Sequence, residues 1–130
     1  MNDELKYSLE KLSLAMNRLD EGVKEAKDNL DRDGVIQRFE FTFELLWKTL
    51  RLFLHNEGII TKSPKESLME GFKFGLIQDE ESFLDMLEDR NQTSHIYSEE
   101  VSKEIFERIK IHYVIRLKKL ISEIKKSTNN

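Results

Sequence analysis

The sequence has no cysteine, one proline (Pro64) and five glycines among its 130 residues. Without thiols, disulfides, thiolate metal sites and cysteine nucleophiles are all excluded, and the absence fits a reducing compartment. With so few helix breakers, little stands in the way of long helices. No apolar run approaches the roughly 20 residues that cross a bilayer. The N-terminus, MNDELKYSLE, lacks the apolar stretch of a signal peptide. The expectation is a cytoplasmic protein with no membrane partner. A strong charge of one sign is missing as well. The formal balance is −4, so a polyanion has to be met by a local cationic patch.

What is present is a chain 38% hydrophobic and 35% charged, apolar enough to fold and more charged than the usual quarter or so. Amphipathic helices with solvated outer faces meet both conditions. The length predicts one domain over residues 1–130 with one proper core.

The first segment has the clearest period. Leu5, Leu9, Leu12, Met16, Leu19, Val23, Ala26 and Leu30 alternate steps of four and three, which lines up one face of a helix about 40 Å long. Asp31, Asp33 and Gly34 predict a turn after it. A second helix follows from about Gly34 to Asn56, ended by Gly58. Its apolar stripe is broad, and Phe41, Leu45 and Leu52 carry it toward a second face. A second copy of the chain is expected to cover the surplus. Ser63-Pro64-Lys65-Glu66 predicts a helix start, with Leu68, Met69 and Phe72 inward and Gly75 at its end. Asp79 caps a helix carrying Phe83, Leu84, Met86 and Leu87. Ser98 opens a last long helix, whose inner side includes Ile105, Ile109, His112, Val114 and Leu117 with some drift in register. No segment alternates strictly as a strand does. The fold class is therefore all-α: an up-and-down four-helix-type bundle with an extra short helix, dimerising.

Most polar residues are accounted for by solvated helix faces. The cations near the C-terminus (Arg116, Lys118, Lys119, Lys125, Lys126) read most plainly as complementing a helix end; a nucleic-acid patch is the alternative. His55 and His112 stand alone. Asp85, Glu88 and Asp89 do not combine with a histidine into a metal site. Glu88 and Asp89 simply temper the charge of Arg90. No glycine-rich phosphate loop is present, so no cofactor is assigned and any nucleotide chemistry falls to a partner.

One cluster is different. Arg90-Asn91-Gln92-Thr93-Ser94-His95-Ile96-Tyr97 puts a permanent cation, an amide, an imidazole and a phenol where two helices meet. Arginine offers a planar fork suited to a phosphate, and histidine moves protons near neutral pH. Together they are able to hold a phosphodiester and transfer protons without a metal. The plainer alternative is an interhelical turn whose arginine and histidine satisfy helix-end carbonyls. Glu40 and Glu44 lie one turn apart on the aromatic-rich second helix. One of them is expected to orient Arg90 or His95 across the bundle, unless both are exposed and pair with Lys48 or Arg51 along their own helix.

Arg90-x4-His95-x-Tyr97, with Asn91 beside it, resembles the signature of the HEPN superfamily. More narrowly, the chain resembles the nucleotidyltransferase substrate-binding, HepT-like family. Arg38-Phe39-Glu40-Phe41-Thr42-Phe43-Glu44-Leu45-Leu46-Trp47-Lys48, Ser63-Pro64-Lys65-Glu66 and the stretch from Leu84 to Tyr97 carry the likeness, in the family's order and over nearly the whole chain. The resemblance implies a helical homodimer with two Arg90/His95 sites facing one cleft. It implies metal-independent RNA cleavage, with His95 as acid or base, Arg90 offsetting phosphorane charge and Asn91 orienting the phosphate. It also implies a toxin–antitoxin toxin paired with a minimal nucleotidyltransferase that transfers AMP to Tyr97. A rival expectation is a non-catalytic subunit binding nucleotide or substrate for that transferase, which the acidic net charge favours. A third is a purely structural helical dimer.

Overall fold

A computed structural model describes residues 2–93 and 98–128. Its helices are α1 (Asp3–Glu25), α2 (Asn29–Asn56), α3 (Pro64–Phe74), α4 (Glu80–Gln92), α5 (Glu99–Arg108) and α6 (Val114–Thr128). A π-helical turn, Ile109–Tyr113, joins α5 to α6. Among the described residues every regular element is helical. The architecture is the expected all-α bundle: α1, α2, α4 and the α5–α6 rod are its long members, and α3 is the short extra helix.

The α1 stripe does what its period requires. Leu5, Leu9, Leu12, Met16, Leu19 and Val23 are buried, each worth about 1–3 kcal/mol of apolar transfer. The face meets α2 running the opposite way. Asn2 Nδ2 donates to Asn56 Oδ1 (3.1 Å), Ser8 and Thr49 hydroxyls meet at 2.5 Å, and Arg38 Nη1 donates to the Arg18 carbonyl (2.6 Å). The partners march in opposite directions along the two helices, which fixes their register. Helix α2 is the hub, touching α1, α3, α4, α5 and α6. Phe39, Phe43, Leu46, Leu50 and Leu54 are fully buried along it.

The turn between α1 and α2 lies earlier than Asp31-Asp33-Gly34. Helix α1 ends at Glu25 and α2 begins at Asn29. The cause is a local cap: Asp28 Oδ1 accepts from the Asp31 N–H (2.8 Å), and Asp31 Oδ2 reaches back to accept from the Lys27 N–H just before the cap (2.9 Å). Gly34 is carried inside the helix, and Leu30, assigned to the α1 stripe, is exposed on α2. The other predicted boundaries correspond more closely. Gly58 has φ +85° just past α2. Its N–H reaches the His55 carbonyl, and the Ile59 N–H reaches that of Leu54, the paired bonds of a Schellman ending. Gly75, at φ +97°, ends α3 in the same way. Ser63 caps α3 and Asp79 caps α4 through their side-chain oxygens. Met69 and Phe72 of α3 are exposed rather than inward, while Leu68 is buried.

The drift in the last helix has a physical cause. Within Ile109–Tyr113 the Val114 N–H bonds to the Ile109 carbonyl five residues back. The chain therefore takes one extra residue to complete the turn. Tyr113 is buried in consequence, and His112, expected on the inner side, is exposed. Arg116, Lys118 and Lys119 are used to hold the bundle together: Arg116 pairs with Asp79, Lys118 with Asp20 on α1, and Lys119 Nζ donates to Gln78. These contacts hold the Asp79 and Asp20 carboxyls below the usual range, chiefly through the Arg116 and Lys118 hydrogen bonds respectively. No helix among the described residues is long and apolar enough to cross a membrane.

Candidate functional site

Arg90 occupies the last turn of α4, where the apolar pattern gives out. The Thr93 hydroxyl donates to the Arg90 carbonyl (2.7 Å), closing the helix end. The Arg90 side chain crosses to α2, where Nη2 donates to Glu44 Oε2 in an ion pair, while Nη1 donates to Asn91 Oδ1 (3.1 Å). Both charged side chains keep about a third of their surface, 30% for Arg90 and 33% for Glu44. The pair is thus reachable from solvent and partly sheltered from it.

Glu44 collects three donors. The indole Nε1–H of Trp47 reaches the same Oε2 (3.1 Å), and Lys48 Nζ lies 3.3 Å from Oε1. Burial pushes the Glu44 carboxyl up. The Trp47 hydrogen bond, the Arg90 charge and Lys48 outweigh it, and the group is held below the ordinary glutamate value. Arg51 stacks over the Trp47 ring, 5.3 Å from its centroid. Glu44 therefore pairs along its own helix and across the bundle at once. Glu40, one turn earlier and half-buried, has no ion-pair partner among the described residues.

Beside Arg90, but facing the other way, is Asp89. It is 6% exposed, and it accepts Arg108 Nε (2.8 Å) and Nη2 (2.9 Å) as a bidentate fork together with the Tyr113 hydroxyl (2.5 Å). Asp89 thus spends its charge on Arg108 and Tyr113, and does not temper Arg90 as the sequence suggested. Burial and the Asp89 carboxylate push the Tyr113 phenol well above its ordinary pKa, and the Asp89 hydrogen bonds raise that of Arg108. The Tyr113 ring stacks on Phe39, with centroids 5.6 Å apart and planes 22° from parallel.

The structure brings Arg90, Asn91 and Glu44 together and leaves Glu40 aside. His95 and Tyr97 lie outside the described residues. Arg108 and Tyr113 escaped the sequence reading because five positions on an α-helix stand about 140° apart. Only the register drift between Ile109 and Val114 hinted that they share a face.

The arginine–amide pair thus closes the fourth helix of an all-helical bundle and is held there by a carboxylate of the second helix. The chain belongs to the family described as nucleotidyltransferase substrate binding protein like, whose model matches residues 5–126. A curated relative from Haemophilus influenzae, named "Probable ribonuclease HepT", is 35% identical over 81 residues. The match takes in 58% of this chain and spans only 56% of the relative's length. Two solved structures share the fold. A Thermus thermophilus protein is 31% identical with a TM-score of 0.77, over 92% of this chain and 99% of that one. HI0074 from Haemophilus influenzae, described as revealing the fold of a substrate binding domain of a nucleotidyltransferase, is 26% identical with a TM-score of 0.79, over 90% and 98%.

Proposed function

We propose that this chain is a single-domain, cytoplasmic, homodimeric subunit working with a minimal nucleotidyltransferase, and that its latent activity is metal-independent RNA cleavage at Arg90 and His95. The observation that carries the reading is the Arg90 guanidinium, held at the end of α4 by Glu44 with about a third of its side chain open to solvent and Asn91 alongside. Such a cation is set to receive a phosphate without searching for its rotamer. His95 follows five residues later in the chain. In the reaction the 2′-oxygen attacks phosphorus as its proton passes to His95. The bond to the 5′-oxygen breaks and that oxygen takes up a proton, leaving a cyclic phosphate and a 5′-hydroxyl. Arg90 offsets the charge of the phosphorane and Asn91 orients the phosphate. The ribonuclease name of the Haemophilus relative supports this assignment.

The homodimer is supported by apolar surface. Leu14 and Phe41 are exposed beside half-buried Leu45, on the face shared by α1 and α2, and a second copy would cover them. Acting as the toxin of a toxin–antitoxin pair, the chain would be silenced when its transferase attaches AMP to Tyr97, since an adenylyl group there would occupy the phosphate site.

The test is RNA cleavage by the purified protein in excess chelator. Cleavage by wild type, lost in both His95→Ala and Arg90→Ala with unchanged far-UV circular dichroism, is the expected result. A wild-type protein that leaves RNA intact removes the nuclease reading. The second reading, a non-catalytic subunit that binds substrate for the transferase, is favoured by the description of HI0074 as a substrate binding domain of a nucleotidyltransferase. There Arg90 would grip a phosphate without cleaving it, and nucleotide binding by the assembled complex would weaken on Arg90→Ala.

A further inference from the structure

We propose that Asp89 is a positioning residue for Arg90, and that Arg108 and Tyr113 reach it because of the π turn between α5 and α6. Asp89 and Arg90 are neighbours on one helix, so their side chains leave it about 100° apart. Asp89 points into the α5–α6 rod and Arg90 points to Glu44 on α2. The last turn of α4 is thereby clamped from two sides.

The inner clamp is the more rigid of the two. A carboxylate this deeply buried needs partners for its lone pairs, and it has three N–H or O–H donors from two residues. The bidentate fork sets the plane of the carboxylate as well as its distance. The phenol that completes the set is itself fixed by its stack on Phe39 of α2. On a uniform α-helix Arg108 and Tyr113 would face directions about 140° apart. The five-residue bond from the Val114 N–H to the Ile109 carbonyl widens the turn and lets both converge on one acceptor. The outer clamp, Arg90 to Glu44, is about one-third exposed and is free to change partners when a phosphate arrives. Its starting position is inherited from the inner one.

The consequence for cleavage rests on the nuclease reading; the positioning of Arg90 does not. The two are separable because Trp47 is the only tryptophan and its indole N–H donates to the same Glu44 oxygen that Arg90 holds. Its N–H resonance therefore reports on the Arg90–Glu44 pair whether or not RNA is cut. Asp89→Asn keeps an acceptor for Tyr113 while releasing the ion pair. The expected result is a displacement of the Trp47 N–H resonance in the direction seen for Arg90→Ala. With it, kcat for RNA falls by up to about a hundredfold, as for a misplacement near 1 Å, with KM little changed. Asp79→Asn, which breaks the Asp79–Arg116 pair at the opposite end of α4, should lower Tm and leave the Trp47 resonance in place. Tyr113→Phe serves if Asp89→Asn does not fold, and should displace the resonance less in the same direction. A wild-type Trp47 resonance in a folded Asp89→Asn or Tyr113→Phe protein overturns the proposal. A displaced resonance in a protein whose wild type cuts no RNA upholds the positioning and removes only the nuclease reading.

Discussion

Arg90 and Glu44 are 46 residues apart in sequence, yet their side chains form an ion pair across the packing of α4 on α2. The pair joins the helix that ends at the candidate site to the helix that touches every other one. A change in the charge of Glu44 is therefore felt both in the site and in the bundle.

Acid should reveal this through Glu44. Its folded pKa is depressed below the ordinary glutamate value, so the folded state binds fewer protons than the unfolded one near pH 4. The stabilisation is complete above the unfolded pKa of about 4.3 and is lost as pH falls through the folded value. Wild type should lose stability more steeply than Glu44→Gln below about pH 4.5, and above it the wild type should be the more stable. Thermal melts from pH 3 to 7 on the two proteins measure the difference.

Tyr113 predicts the opposite limb. Its folded pKa is raised, so its contribution is complete below the unfolded pKa of about 10 and is lost as pH climbs beyond it. Wild type should destabilise more sharply than Tyr113→Phe above pH 10. At neutral pH the variant should be weaker by about 1–3 kcal/mol, the worth of a hydrogen bond to a charged group. Denaturant unfolding at pH 7 and pH 10.5 checks both statements.

Two glycines should respond with opposite signs. Gly34 lies within α2 with nothing within 4 Å of an added Cβ, so Gly34→Ala should stabilise by about 0.5–1 kcal/mol and raise Tm by about 2–4 °C. Gly58 holds φ +85°, and Gly58→Ala should cost about 1–2 kcal/mol through the left-handed strain on a Cβ. Calorimetry on both variants decides.

Phe41 tests the proposed dimer. It is 60% exposed, so Phe41→Glu should leave far-UV circular dichroism and the monomer core intact. Sedimentation should shift from dimer to monomer at low micromolar concentration. A wild type that sediments as a monomer would remove the proposed dimer, and a variant that sediments with a dimeric wild type would take Phe41 out of its contact.

Much of the fold was legible because each clue was local. The four-and-three steps from Leu5 to Val23, Ser63-Pro64 and the glycines at 58 and 75 each depend on residues within one turn. The start of α2 was misplaced because Asp33 and Gly34 look like a turn, while the Asp28 cap that decides the boundary sits just upstream. At the site, Arg90 and Asn91 stood out by residue type, and Glu44 by its unusual place among aromatics. Asp89 did not, because its partners lie on another helix and come into phase only through a turn that no α-helical period anticipates.

The π turn also says something about the history such a chain can tolerate. Lys110, Ile111 and His112 all face outward, so the surplus residue is looped onto the surface and disturbs no buried contact. Excising one of these three would leave Arg108 and the tyrosine four apart, still stacked on one side of an ordinary helix, with α6 keeping its phase. The rod can give up a residue here as a sliding spacer, and the reading frame of its packing survives.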